Sequence, residues 1–296
     1  MTATAGHTGA GVDTGAGVEL TLDPQRRFGV EIECFVPSWE ELVDALEREG
    51  IPAFGTRRDP HATCYCDDED DDCYCFEVQE TYDTNAPEAW ELRTDCTLQG
   101  GALDPVELVS PILCSVDGAR QLAAVGRALH ALGAEVHDSA GLHVHHEVVD
   151  LDLAALRGLV ASYEAALRPI DALLDPSRRS DNPRACNKRW GTDQARAWAA
   201  ATTVADFAAR SSRNVLNFSG LVWRGTVEFR QHHATVDAAA ITAWVRLGQR
   251  FIAAAAAGDV VSVDAVDALT ARLGCADVER TLWATRAATL ATPVAA

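Results

Sequence analysis

The sequence has no apolar run long enough to cross a bilayer. Its nearest approach, FIAAAAA at 251–257, is short and rich in alanine, whereas a spanning helix needs roughly 20 apolar residues. The first residues, MTATAGHTGAGVDTGAG, lack the basic stretch and the long apolar stretch of a secretory signal. Residues 1–24 read instead as a flexible tail with no fold of its own. Positive charge is scarce: 25 Lys+Arg stand against 44 Asp+Glu, a formal net charge of −19. That balance argues against a nucleic-acid backbone or an anionic membrane surface as partner. It leaves nucleotides open, because a local cluster of arginine and metal can hold them. Nine cysteines, an odd number with no signal sequence, point to a reduced, cytoplasmic protein rather than a disulfide scaffold. There is no internal repeat.

What the chain does have is three i,i+2 pairs of chemically active residues. Glu31 and Glu33 lie in FGVEIECF, His143 and His145 in GLHVHHEVV, and Glu228 and Arg230 in GTVEFRQH. All three segments read as strands. Side chains alternate across a strand, so residues two apart share a face at about 6.6 Å. Ile32, Val144 and Phe229 separate the pair members and point the other way. One face of the sheet then packs on a core, and the other carries carboxylates, imidazoles and a guanidinium. Crowded carboxylates repel one another and their pKa values rise unless a cation compensates, so the face points to a divalent metal and a phosphate. Each pair has a plain alternative: solvent-facing glutamates, satisfied sheet histidines, a cross-strand ion pair. Those alternatives have to hold independently in every segment. The predominance of carboxylate oxygens, with one or two imidazoles and no thiolate, favours Mg²⁺ or Mn²⁺ over Zn²⁺.

The rest of the pattern is mixed. After the strand at 27–36, Ser38 and Glu41 form a capping box for a helix ending at Gly50. Strands are expected at 76–82, 88–95, 106–110, 141–149, 214–222 and 225–232. Helices are expected at 117–132, 152–173, 203–211, 237–256, 262–273 and 276–291. Helices and strands do not alternate regularly, and adjacent short strands suggest antiparallel pairing, hence an α+β fold with a mainly antiparallel sheet backed by helices. Residues 25–258 form the expected catalytic domain, with the helices of 259–296 packed on it.

Two polar stretches stand apart. The loop 174–192 carries Arg178, Arg179, Arg184, Lys188 and Arg189 in an otherwise acidic chain. Arg179 and Lys188, with Arg213 at the start of the next strand, suit phosphate or carboxylate binding; a solvated loop is the other reading. Within the insertion 59–75, Cys64, Cys66, Cys73 and Cys75 flank an acidic run at 67–72. Four thiolates can hold a structural Zn²⁺. Disulfide pairing and a free, mobile loop remain as alternatives.

Taken together, FGVEIE (28–33), TDCTL (94–98), VELVSPI (106–112), GLHVHH (141–146) and TVEFRQHHATVD (226–237) resemble the amidoligase family. This is a branch of the carboxylate–amine ligases akin to glutamine synthetase and glutamate–cysteine ligase. The resemblance covers about 27–256; the cysteine-rich insertion departs from it. It implies a curved, mainly antiparallel sheet of glutamine-synthetase-like type whose concave face holds metal-bound ATP. It further implies that Glu31, Glu33, Glu107, His143 and Glu228 ligate Mg²⁺ or Mn²⁺, and that Arg230 binds phosphate. Asp95 falls where the family often has an aspartate near the amine or substrate, although it could instead cap a turn. The implied activity joins a carboxylate substrate to an amine co-substrate, small molecule or peptide, through an acyl phosphate. A phosphotransferase of the same fold and a catalytically inactive metal- or nucleotide-binding protein are the rival readings.

Overall fold

A computed structural model describes residues 22–56, 88–95, 97–98, 102–180, 182, 189–209 and 214–291. The expected strand at 76–82 and the cysteines Cys64, Cys66, Cys73 and Cys75 lie outside them, as do Lys188, Arg213 and most of the expected N-terminal tail. The described residues form an α+β fold, with an open seven-stranded sheet and nine α-helices. The strands are β1 (Phe28–Val36), β2 (Ala53–Thr56), β3 (Trp90–Arg93), β4 (Asp104–Val109), β5 (Gly141–Glu147), β6 (Leu216–Asn217) and β7 (Thr226–His233). Their order across the sheet is β2-β3-β4-β1-β5-β7-β6. Only β2 and β3 run parallel; every other neighbouring pair is antiparallel.

The core lies on the face of Val30, Ile32, Leu92, Val106, Leu108, Leu142, Val144, Val227 and Phe229, all at 1% exposure or less. Helix α1 (Trp39–Arg48) packs on α2 (Ser115–Ala131), α2 on α7 (Ala238–Ala256), and α7 on α3 (Leu153–Ala165). Local sequence explains the helix starts. Ser38 caps α1 by accepting from Glu41 N at 3.1 Å, Asp152 caps α3 through Ala155 N, and Asp237 caps α7 through Ala239 N. Each such cap contributes about 1 kcal/mol. Trp39, Leu42, Ala45 and Leu46 give α1 its buried stripe, and Gly50 leaves the helix at φ +76°, a conformation that glycine adopts without a Cβ penalty.

Four elements differ from the sequence expectation. The helix expected at 152–173 is broken at Ala166 into α3 and α4 (Leu167–Asp171). Pro169 is the reason: it cannot donate to Ala165 O, and its ring crowds that carbonyl. The strand expected at 214–222 shortens to β6, followed by a 3-10 turn at Ser219–Leu221. Asn217 bends the chain there by accepting from Ser219 N at 3.0 Å. Two elements were not anticipated, β2 and α5 (Thr192–Ala200). The first depends on Gly55, where an added Cβ would come 3.1 Å from the Trp39 ring. The short helix α6 (Val204–Ala208) completes this part, with a Thr203–Asp206 capping box.

Beyond α7, helices α8 (Val266–Arg272) and α9 (Asp277–Ala291) pack on one another. Arg250 of α7 donates to Glu279 of α9 through Nε at 3.1 Å, and the Trp244 and Trp283 rings meet edge to face. No helix among the described residues is long and apolar enough to cross a membrane.

Candidate metal and phosphate site

The open face of the sheet collects its polar side chains through register. Glu33 lies opposite Glu107 of β4, and Glu31 lies opposite His143 of β5. His145 is opposite Gly29 on one side and Glu228 on the other, and Glu228 is opposite Asn217 of β6. Three rows of side chains from different strands therefore lie side by side. A shift of register between β5 and β7, from Leu142–His232 to Val144–Phe229, leaves β7 with one extra residue across from His143. Arg230 keeps the face of Glu228 by alternation, and the bulge turns His232 to the helix side, where its ring lies 4.9 Å from that of Trp244; bulges commonly re-aim a side chain in this way.

The side chains make direct contacts. Glu31 takes both imidazoles, His145 Nε2 at 3.0 Å and His143 Nδ1 at 3.2 Å. His143 Nε2 is 3.7 Å from Glu33 Oε1, and its Nδ1 is 3.7 Å from Glu228 Oε1. Glu228 is held by the Arg230 guanidinium and by Asn217 Nδ2, which donates at 2.9 Å. Glu33 accepts from Gly141 N, and the Arg178 guanidinium lies 4.0 Å from it. Asp95 Oδ1 accepts from Thr97 N at 2.7 Å and Thr97 Oγ1 at 2.8 Å.

Burial and like charge set the electrostatics. Burial, followed by the carboxylates of Glu31, Asp95 and Glu33, pushes the Glu107 pKa up to about 9. Burial also raises Glu33, with Asp95 adding to the shift and His143 opposing it. Burial works to raise Glu31, yet the hydrogen bonds from His143 and His145 carry it well below the usual carboxylate range. Burial opposes the charged form of His145, but the Glu31 hydrogen bond and the Glu228 charge hold its pKa above the ordinary histidine value.

A surplus of buried carboxylate beside imidazole nitrogen is a donor set suited to a hard divalent cation. Three combinations bring one donor atom per residue within 4.8 Å of one another: Glu31, His145 and Glu228; Glu31, Glu107 and His143; Glu33, Asp95 and Glu107.

Glu31, Glu33, Glu107, His143, Glu228, Arg230 and Asp95 thus come together from four strands and one turn. His145 joins them at hydrogen-bond distance; its shared face with His143 was the available signal. Arg179 is not drawn in, since its Nε donates to Leu174 O at 3.2 Å. Among the described loop cations it is its neighbour Arg178 that lies within 4.0 Å of a strand carboxylate, that of Glu33, a choice that charge composition could not make. Asp95 does close a turn, through Thr97, and its carboxylate also lies with Glu33 and Glu107.

No curated protein matches the chain. The family model described as "putative amidoligase enzyme" matches residues 24–252, a span that includes every strand residue of this cluster. The chain belongs to that amidoligase family.

Proposed function

We propose that the protein is an ATP-dependent carboxylate–amine ligase that makes an amide through an acyl phosphate. The observation that carries this reading is the meeting of Glu31, Glu33, Glu107, His143 and Glu228 beside a guanidinium on one sheet face. A carboxylate is a poor acyl donor because oxide is a poor leaving group, and phosphorylation replaces it with phosphate. These five residues, with His145 alongside, would hold Mg²⁺ or Mn²⁺. The cation neutralises charge on the transferring phosphoryl oxygens when bound.

Arg230 has the chemistry for the same oxygens, since a guanidinium can donate two parallel hydrogen bonds to phosphate. Its bond to Glu228 orients the fork, and Asn217 orients Glu228 in turn. Asp95 has one oxygen tied to Thr97. Its other oxygen is suited to accept the proton that the amine loses as it attacks the acyl phosphate, giving the amide and inorganic phosphate.

The test is ADP release by the full chain with Mg²⁺ or Mn²⁺ across panels of acids and amines. A ligase releases ADP only when both an acid and an amine are present. ADP release with an acceptor alone, leaving a phosphorylated product, would make the protein a phosphotransferase. No turnover despite nucleotide binding would make it a binding protein.

A further inference from the structure

Arg178 lies in the 3-10 turn Pro176–Arg178 and is only 3% exposed. The turn is closed by Asp175, whose Oδ1 accepts from Ser177 N at 2.8 Å. It lays the guanidinium over Gly141, on the site face of β5. A Cβ at Gly141 would come 3.1 Å from both Arg178 Nη atoms and 3.0 Å from His143 Nε2. The missing side chain is therefore the space that the guanidinium and the imidazole share. The donors of Arg178 are only partly used. Nη2 donates to Ser139 O at 2.9 Å, Glu33 is beyond hydrogen-bond reach at 4.0 Å, and the buried Nε has no partner among the described residues. A buried guanidinium with unmet donors carries a desolvation penalty that an oxyanion ligand would relieve.

The segment bearing Arg178 is tied down from outside the family-matched span. Arg286 of α9 donates from Nε to Leu173 O at 2.9 Å, and its Nη2 contacts the His233 imidazole. His233 is opposite Gly141 in the β5–β7 register, so α9 reaches the very end of the sheet over which Arg178 lies.

Resting on the ligase reading above, we propose that Arg178 is a second anion-binding residue of the site. It binds a phosphate or carboxylate oxygen at the Glu33 end, and Arg286 is a positioning residue for its turn. The C-terminal helices are then part of the working unit.

The test titrates inorganic phosphate, and separately acetate, into the full-length protein with Mn²⁺ present, alongside a Mn²⁺ titration. Arg178→Gln is expected to raise the phosphate Kd about tenfold or more, with the Mn²⁺ Kd changed less than about twofold. Arg178→Lys keeps the charge but loses the fork and falls between; it carries the same readout if Arg178→Gln does not fold. Arg286→Gln shifts the phosphate Kd in the same direction by a smaller factor. If acetate binding weakens and phosphate binding does not, the oxyanion is the substrate carboxylate and the proposal stands. Unchanged Kd for both anions in a folded Arg178 variant overturns it, and so does parallel loss of Mn²⁺, which marks a merely structural role. Because no turnover is read, failure of the ADP assay with anion binding intact removes the ligase reading alone.

Discussion

His145 and His146 are neighbours in sequence and opposites in environment. His145 points to the open face and bonds Glu31 at 3.0 Å, and its carboxylate partners hold its pKa above the ordinary value. His146 points into the helix layer, where it meets the Phe229 ring edge to face and neither ring nitrogen finds a hydrogen-bond partner. Burial pushes its pKa down to about 3. An added Cβ on Gly248 of α7 would come 2.4 Å from its Nε2, which shows how closely the helix approaches. One residue type, one strand and a step of a single residue separate chemistry from packing. The two faces of the sheet should respond to different perturbations, stability on one side and ligand chemistry on the other.

The largest expected effect is on the helix face. Ile32→Ala, at a fully buried position between the two glutamates, should lower stability by about 2–5 kcal/mol. Urea unfolding measures this, and Mn²⁺ affinity of the fraction that stays folded should be unaltered. A change in affinity without a change in unfolding midpoint would erase the separation of faces.

Arg230→Ala probes the other face. We expect turnover to fall by about 10²–10³-fold, the loss typical of removing one preorganised donor from developing negative charge, with a much smaller change in thermal midpoint. Wild-type turnover in a folded Arg230→Ala protein would take Arg230 out of the mechanism.

The next prediction concerns acid. The folded pKa of His146, about 3, is depressed from its unfolded value of 6.5, so below pH 6.5 the unfolded chain binds a proton that the folded one refuses. Stability is then lost as pH falls from about 6.5 toward 3, with a slope of up to about 1.4 kcal/mol per pH unit from this group. His232 and His233 are also depressed by burial and add to that loss. Replacing His146 by Leu should flatten the acid limb of a stability–pH curve by one proton, and an unchanged slope would show that His146 does not titrate with unfolding.

The smallest effect is on metal affinity at the open face. With its pKa pushed up to about 9, Glu107 is protonated near neutrality in the metal-free protein and must lose its proton to ligate. Apparent Mn²⁺ affinity should therefore rise between pH 7 and 9 by up to about tenfold per unit, then level off. Glu107→Gln should remove the slope; a slope retained in that variant would assign the displaced proton to another group.

Much of this was legible in the chain because it depends on short-range geometry. Alternation puts Glu31 with Glu33, His143 with His145 and Glu228 with Arg230, whatever the surrounding fold. Caps at Ser38, Asp152 and Asp237 are likewise local hydrogen bonds. The missed break at Ala166 was also local and readable, since Pro169 alone accounts for it. The short strand β2 was not, because its four residues acquire strand geometry only by pairing with β3.

The amino-acid order by itself determined which side chains share a strand face, where the main helices begin, and that the chain carries a surplus of carboxylate. Tertiary structure alone decided the neighbours. Strand order set β4, β1, β5 and β7 side by side, and one extra residue in β7 turned His232 to the helix side. A turn packed at the end of the sheet selected Arg178 rather than Arg179. The physical reason is that periodicity acts over two to four residues through covalent geometry. Register, the bulge and a guanidinium lying over a glycine depend on backbone hydrogen bonds and packing between segments far apart in the chain, such as the 112 residues separating Glu31 from His143.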